Sequence, residues 1–331
     1  MSKHRQRVAL VVLAASLAVL GGAAAAAAAP VVYGARAMGM GGAFTAAVDD
    51  ASAFYWNPAA IGLSSLSVSA SGFAQGIDGL ARLQELLDQE AAEFLQWEGA
   101  ESAAVGALGA ANFGSLAVGG VAVGELFITG TASQKSGSVE ALGSYGAGAA
   151  FDALGRDSLA VRAGVAARWI TGERREFSVE DATPAPVVKD VGWRASGYAL
   201  DAGMLVRVTE MTTLALVVRN LVSQVTWTAP GHDAVTEQAP VEVRAGVALR
   251  PPLLGATIAA ELGPDGELRY GVEKRMLLGL LDVRAGQLHA DGKTWTTAGL
   301  GLSFGPLHAD AAVSTPDFKE FSFAVEASLR F

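Results

Sequence analysis

Charge keeps to one side of an alternating pattern through much of this chain, and that segregation limits what it can fold into. In the last segment Phe321, Phe323, Val325, Ala327, Leu329 and Phe331 share one face of an extended strand; Glu320, Ser322, Glu326, Ser328 and Arg330 share the other. The same arithmetic sets Val241, Val243, Ala245, Val247 and Leu249 against Glu242, Arg244 and Arg250, and sets Leu159, Val161, Ala163, Val165, Ala167 and Trp169 against Arg162 and Arg168. Leu268, Tyr270 and Val272 oppose Glu267, Arg269, Glu273 and Arg275, and Leu281 and Val283 oppose Asp282 and Arg284. Apolar rows of this length are an aggregation hazard in water. In lipid they are at home, and an arginine among them at the bilayer midplane would cost ~2–4 kcal/mol. The charged rows therefore belong to an enclosed interior.

From Ser64 to Phe331 the text divides into about fourteen such segments, an even number as in bacterial barrels. Composition agrees. Hydrophobic residues make up 51% and charged ones 17%, with 40 glycines, yet past the N-terminus no apolar run approaches the ~18 residues of a spanning helix. The fold class is all-β: a transmembrane antiparallel up-and-down β-barrel of about 14 strands with an N-terminal luminal plug. Connections alternate between short turns on one rim and longer stretches on the other, at Gln75–Glu101, Phe127–Gly137, Gly172–Gly192 and Gln224–Ala239. Leu80, Leu83, Leu87 and Phe94 recur at helical spacing, which predicts an amphipathic helix in the first long connection.

The first residues read as an export signal spanning 1–29, with Lys3, Arg5 and Arg7 ahead of an apolar core from Val8 to Leu20 and small residues from Ala23 to Ala29. Cleavage would lower the formal net charge from -9 to -12, which argues against nucleic acid as a partner. The chain has no cysteine, so neither a disulfide framework nor a lipoprotein attachment site is expected.

Residues 30–63 break the alternation ahead of a barrel expected over 64–331. Gly34 to Leu63 has no sustained period and crowds glycines 39, 41 and 42, the Asp49-Asp50 pair and Trp56-Asn57-Pro58 into one compact stretch. Its motifs GARAMGMGGAFTA, VDDASA and YWNPA resemble the N-terminal segment of the FadL-type outer-membrane hydrophobe transporters and their PorV-like relatives. The resemblance implies a barrel in the bacterial outer membrane whose leading segment folds into the lumen as a hatch. It implies passive uptake or binding of a hydrophobic small molecule, fatty-acid-like or an aromatic hydrocarbon. The alternatives are a PorV-like, non-transporting barrel that acts as scaffold or shuttle for exported proteins, and a small diffusion pore. Matching the motif gives Arg36, Met38, Met40, Phe44, Asp49, Asp50, Asn57 and Pro58 as hatch or ligand candidates. Position alone adds Phe73, Leu83, Leu87, Phe94 and Trp97 near the first long connection. The bland reading is that Arg36, Asp49 and Asp50 salt-bridge the segment to wall residues such as Arg244 or Arg269. Expected partners are membrane lipid, a hydrophobic small molecule and the barrel-assembly machinery, which would recognise the strand ending at Phe331. The chain is short for these transporters, which weakens the capture step at the outer rim.

Catalysis has thin support. His289 and Asp291, His308 and Asp310, and His232 and Asp233 lie close in sequence, but no nucleophile completes a set. No catalytic residue, cofactor or metal cluster is expected, and the glycines at 39, 41 and 42 have neither the preceding strand nor the following lysine of a phosphate loop.

Overall fold

The computed structural model describes residues 31–76, 99–130, 134–156, 159–180 and 187–331. Fifteen strands follow one another: β1 Leu66–Gln75, β2 Gly99–Phe113, β3 Leu116–Gly130, β4 Gln134–Arg156, β5 Leu159–Glu180, β6 Val187–Arg207, β7 Thr212–Thr228, β8 Val235–Glu237, β9 Glu242–Leu249, β10 Ala256–Leu262, β11 Leu268–Met276, β12 Leu281–Ala290, β13 Lys293–Phe304, β14 Leu307–Thr315 and β15 Ser322–Arg330. Each pairs antiparallel with its neighbour, β1 pairs with β15, and β7 with both β6 and β9, so fourteen strands close into a barrel while β8 adds to the end of β7. Closure of the fourteen strands removes the long edges of the sheet, so their ladders pair around the barrel without water, as hydrocarbon demands.

Side chains sort as the alternation predicts. Arg269, Glu273, Arg284, Asp310 and Glu326 are buried inside, while Phe323, Val325, Leu268 and Val272 stand exposed on the outside. Arg244 and Arg269 both face the interior, where they meet Glu261 and Glu267. On the outer face Tyr145, Trp169 and Tyr198 are direct cross-strand neighbours and form an aromatic row over β4, β5 and β6. Such rows mark a membrane–water interface.

Two rims result. The turn rim carries the tight connections and Phe331; the loop rim carries the rest. The wall is lopsided: β4, β5 and β6 have 23, 22 and 21 residues, whereas β9 to β11 have 8, 7 and 9. This corrects the expectation of long connections at Phe127–Gly137 and Gly172–Gly192. Strand pairing runs on to Gly130 and Glu180, well past the expected strand ends. Beyond the aromatic row water wets both faces, so charges stand on both, as in Glu173-Arg174-Arg175-Glu176, and the apolar alternation that announces a strand disappears. The expected helix around Leu80 to Phe94 lies outside the described residues.

Candidate functional site

The segment ahead of β1 is built from two short helices, α1 (Ala35–Gly39) and α2 (Ala53–Trp56), and a 3-10 turn at Pro58–Ala60. α1 touches β12 to β15 and β1, α2 touches β3, and the turn touches β4 to β6, so the segment meets the inner wall nearly all the way round. Irregular backbone at membrane depth leaves many N–H and C=O groups to satisfy, and the wall supplies partners. Glu261 accepts from the N–H groups of Phe44 and Thr45 (3.1 and 3.0 Å) and from the Thr45 hydroxyl at 2.8 Å. Arg162 donates to the carbonyls of Ala59 and Ile61, Arg250 to that of Ala47, and Asn112 to that of Asp50. Thr297 accepts from Gly41 N–H and donates to the Gly39 carbonyl.

Close approach comes from inward-facing glycines. A side chain at Gly164 would fall on Pro58, at Gly203 on Asn57, at Gly246 on Thr45, and at Gly271 and Gly286 on Met40. Glycine is what lets the two backbones approach this closely.

The charged centre of this contact is Arg36. Its guanidinium is buried, donating to Glu273 from Nε and Nη2 at 2.8 and 2.9 Å, and to Asp49 and Asp50 from Nη1 at 2.5 and 3.2 Å. Arg284 also grips Glu273 (2.7 Å) and reaches Asp310 (2.6 Å), while Arg330 holds Asp50 at 3.2 Å. The partners of Asp49 and Asp50 are therefore Arg36 and Arg330 rather than Arg244 or Arg269. Met38, Met40 and Phe44 are packed into the interior of the segment. Asn57 braces it, its Nδ2 donating to the Thr45 carbonyl and its Oδ1 accepting from Ala59 N–H, both at 3.0 Å. Pro58 opens the 3-10 turn.

A different set of residues packs where the segment meets β1. Tyr33 and Tyr55 meet with ring centroids 4.7 Å apart, and Phe73 stands edge-on to Tyr33 at 5.3 Å. Burial holds the Tyr33 phenol well above its ordinary range; Tyr55 and Glu125 push the same way, against Arg219 and Arg168. Over this aromatic floor the inner wall of β3 to β7 rises in rows of cross-strand neighbours. Val121, Ser144, Ile170, Gly197 and Val225 make one row; Val123, Leu142, Gly172, Ala195 and Trp227 make the next. Above these come Glu125, Glu140, Arg174 and Trp193. Ile170, Val225 and Trp227 form an apolar cluster of their own, with Leu142 and Trp193 packed against it, apart from the core around α1 and α2. Arg174 lies 4.4 Å above the Trp227 ring and is paired with Glu140 by bonds of 2.7 and 3.1 Å.

Of the position-based candidates, Phe73 lies in this floor, and Leu83, Leu87, Phe94 and Trp97 fall outside the described residues. Sequence reasoning did not single out Tyr33, Tyr55, Leu142, Ile170, Trp193, Val225 or Trp227. The signal for the last was an extended alternation through Trp193 and past Ser223, hidden by the polar outer face. Among the described residues no group of three or more potential ligands is placed to hold a metal ion.

The barrel has the fold of known hydrocarbon transporters. It superposes on the toluene transporter TbuX of Ralstonia pickettii with a TM-score of 0.60 at 16% identity, over 90% of this chain and 98% of that one. The toluene transporter TodX of Pseudomonas putida matches with a TM-score of 0.54 at 11% identity, over 90% and 97%. No family model matches the chain, and no curated protein matches it.

Proposed function

We propose that this protein is a bacterial outer-membrane barrel that takes up or binds hydrophobic small molecules, with the loop rim outside the cell and residues 31–63 stopping the bore on the periplasmic side. The observation that carries this reading is the juxtaposition of an aromatic floor (Tyr33, Tyr55, Phe73) with apolar wall rows from Val121 to Trp227. An apolar solute gains little from a watery pore and more from a greasy surface beside it. The shared fold with two toluene transporters supports the same reading at the level of architecture. Exit from the chamber requires a path around the stopper or through the wall, since Arg36, Glu261 and the wall glycines hold the segment on many sides.

The test is twofold. Protein purified in detergent is extracted and examined for co-purifying apolar molecules, and the intact barrel is inserted into planar bilayers. Bound hydrophobic ligand together with a closed electrical state is the expected result. Steady ion conductance of the intact protein would favour a hydrophilic pore. An always empty barrel that co-purifies with an exported protein would favour the scaffold.

A further inference from the structure

The proposed chamber is apolar on its floor and lower wall but not at its upper row. Glu125 and Glu140 are direct cross-strand neighbours on the inner face, and like charges set opposite each other in a sheet destabilise it. Arg174 answers only one of them: its Nε and Nη2 both go to Glu140. Glu125 makes no hydrogen bond or ion pair with any described residue, although it stands one inward step above Val123, which packs on the core holding Tyr33 and Phe73. Among the described residues the carboxylate thus stands above the aromatic floor without a cation. The rings of this interior also already receive cations on their faces. Arg219 lies 3.6 Å from the Tyr55 centroid, Arg174 4.4 Å from Trp227 and Arg36 5.3 Å from Phe44. Those faces are already covered, so what the chamber offers a ligand is an apolar wall beside an unpaired carboxylate, and that combination selects an ammonium group.

Accepting the chamber as the binding site, we propose that its preferred ligand is an apolar body carrying a cationic amine head. The body lies on Val121, Val123 and Leu142, above Tyr33 and Phe73, and the ammonium group rests against Glu125. A plain hydrocarbon fits the lower rows but leaves the Glu125–Glu140 repulsion in place; an organic anion adds to it.

Three probes of matched shape separate these cases: 4-phenylbutylamine, butylbenzene and 4-phenylbutyrate, titrated by calorimetry into the full-length protein in detergent. The amine is expected to bind about tenfold tighter than butylbenzene, with the acid weakest. Glu125→Gln is expected to bring the amine within about twofold of butylbenzene while leaving butylbenzene unchanged. Because Glu125 has no partner to lose among the described residues, this variant should keep the heat-modifiable gel mobility of a folded barrel, and that is checked first. Butylbenzene binding as tightly as the amine, or an amine preference that survives Glu125→Gln, overturns the proposal and leaves the hydrophobic site standing. Failure of all three probes to bind overturns the site itself.

Discussion

Replacing Arg36 by Met removes the cation at the centre of the contact between the leading segment and the wall, and the structure sets the size of the effect. Four charge-assisted bonds disappear, two to Glu273 and one each to Asp49 and Asp50, around a guanidinium that is itself buried with Glu273 and Asp50, while Asp49 stays partly exposed. Breaking a buried pair by deleting one partner costs ~3–5 kcal/mol, because the other charge stays behind. Here Arg284 still serves Glu273 and Arg330 still serves Asp50, so the cost falls at the low end, about 3 kcal/mol. Glu273→Met alone leaves Arg36 with Asp49 and Asp50 and costs less. The double variant Arg36→Met with Glu273→Met removes both sides of the doubly bonded, buried pair, so its cost falls short of the sum of the singles by about 1–3 kcal/mol. Urea unfolding in lipid vesicles, followed by fluorescence of the six tryptophans, measures all three. A loss under about 1 kcal/mol for Arg36→Met, or strict additivity in the double variant, would refute the claim that this arginine ties the segment to the wall.

Three further outcomes follow from the same contacts. Gly271→Ala places a methyl on the Met40 backbone and should cost ~1–3 kcal/mol, whereas Gly109→Ala, where the added atom meets nothing, should stay within about 0.5 kcal/mol in the same unfolding assay. The Tyr33 phenol holds its proton more tightly when folded than unfolded, so its contribution to stability is complete below the ordinary phenol value of about 10 and is lost as pH rises from there toward its raised folded value. Tyr33→Phe should flatten that part of the stability-against-pH curve; an unchanged slope would speak against a buried phenol. Trp227→Ala, which empties the upper wall and strips Arg174 of its ring, should weaken butylbenzene binding severalfold without altering the barrel's gel mobility.

The barrel was legible because lipid enforces a one-sided rule. Arg244, Arg269 and Arg284 each declared their face in the sequence, and each turns inward, since the other side has no water for a guanidinium. The same rule fails where lipid ends. Above the Tyr145–Trp169–Tyr198 row both faces of β4 to β6 are wet, so Glu173, Arg175 and Arg194 stand outside as freely as Arg174 stands within, and the strands looked like loops. The charged residues of the leading segment could be picked out from their motif, but their partners could not. Asp50 finds Arg330, at the far end of the chain, because closing β1 onto β15 brings the C-terminal strand beside α1. The apolar rows on β3 to β7 were invisible for a related reason. They come from five strands in a register that only closure of the barrel defines.

Everything functional in this account depends on residues 31–63 lying inside the bore, and a disulfide tests that placement directly. A Cβ at Gly246 on β9 would lie 3.4 Å from the Cβ of Ala46, close to the ~3.5–4.5 Å span of a bridged pair; it would also meet the Thr45 hydroxyl at 2.5 Å, which Thr45→Ala removes. The chain has no cysteine of its own, so Ala46→Cys with Gly246→Cys in a Thr45→Ala background gives a single possible intramolecular bridge. Under mild oxidation in native membranes this double variant should cross-link nearly completely, read by peptide mass after proteolysis. Two free thiols, both labelled by a maleimide under the same conditions, would mean that the segment lies elsewhere.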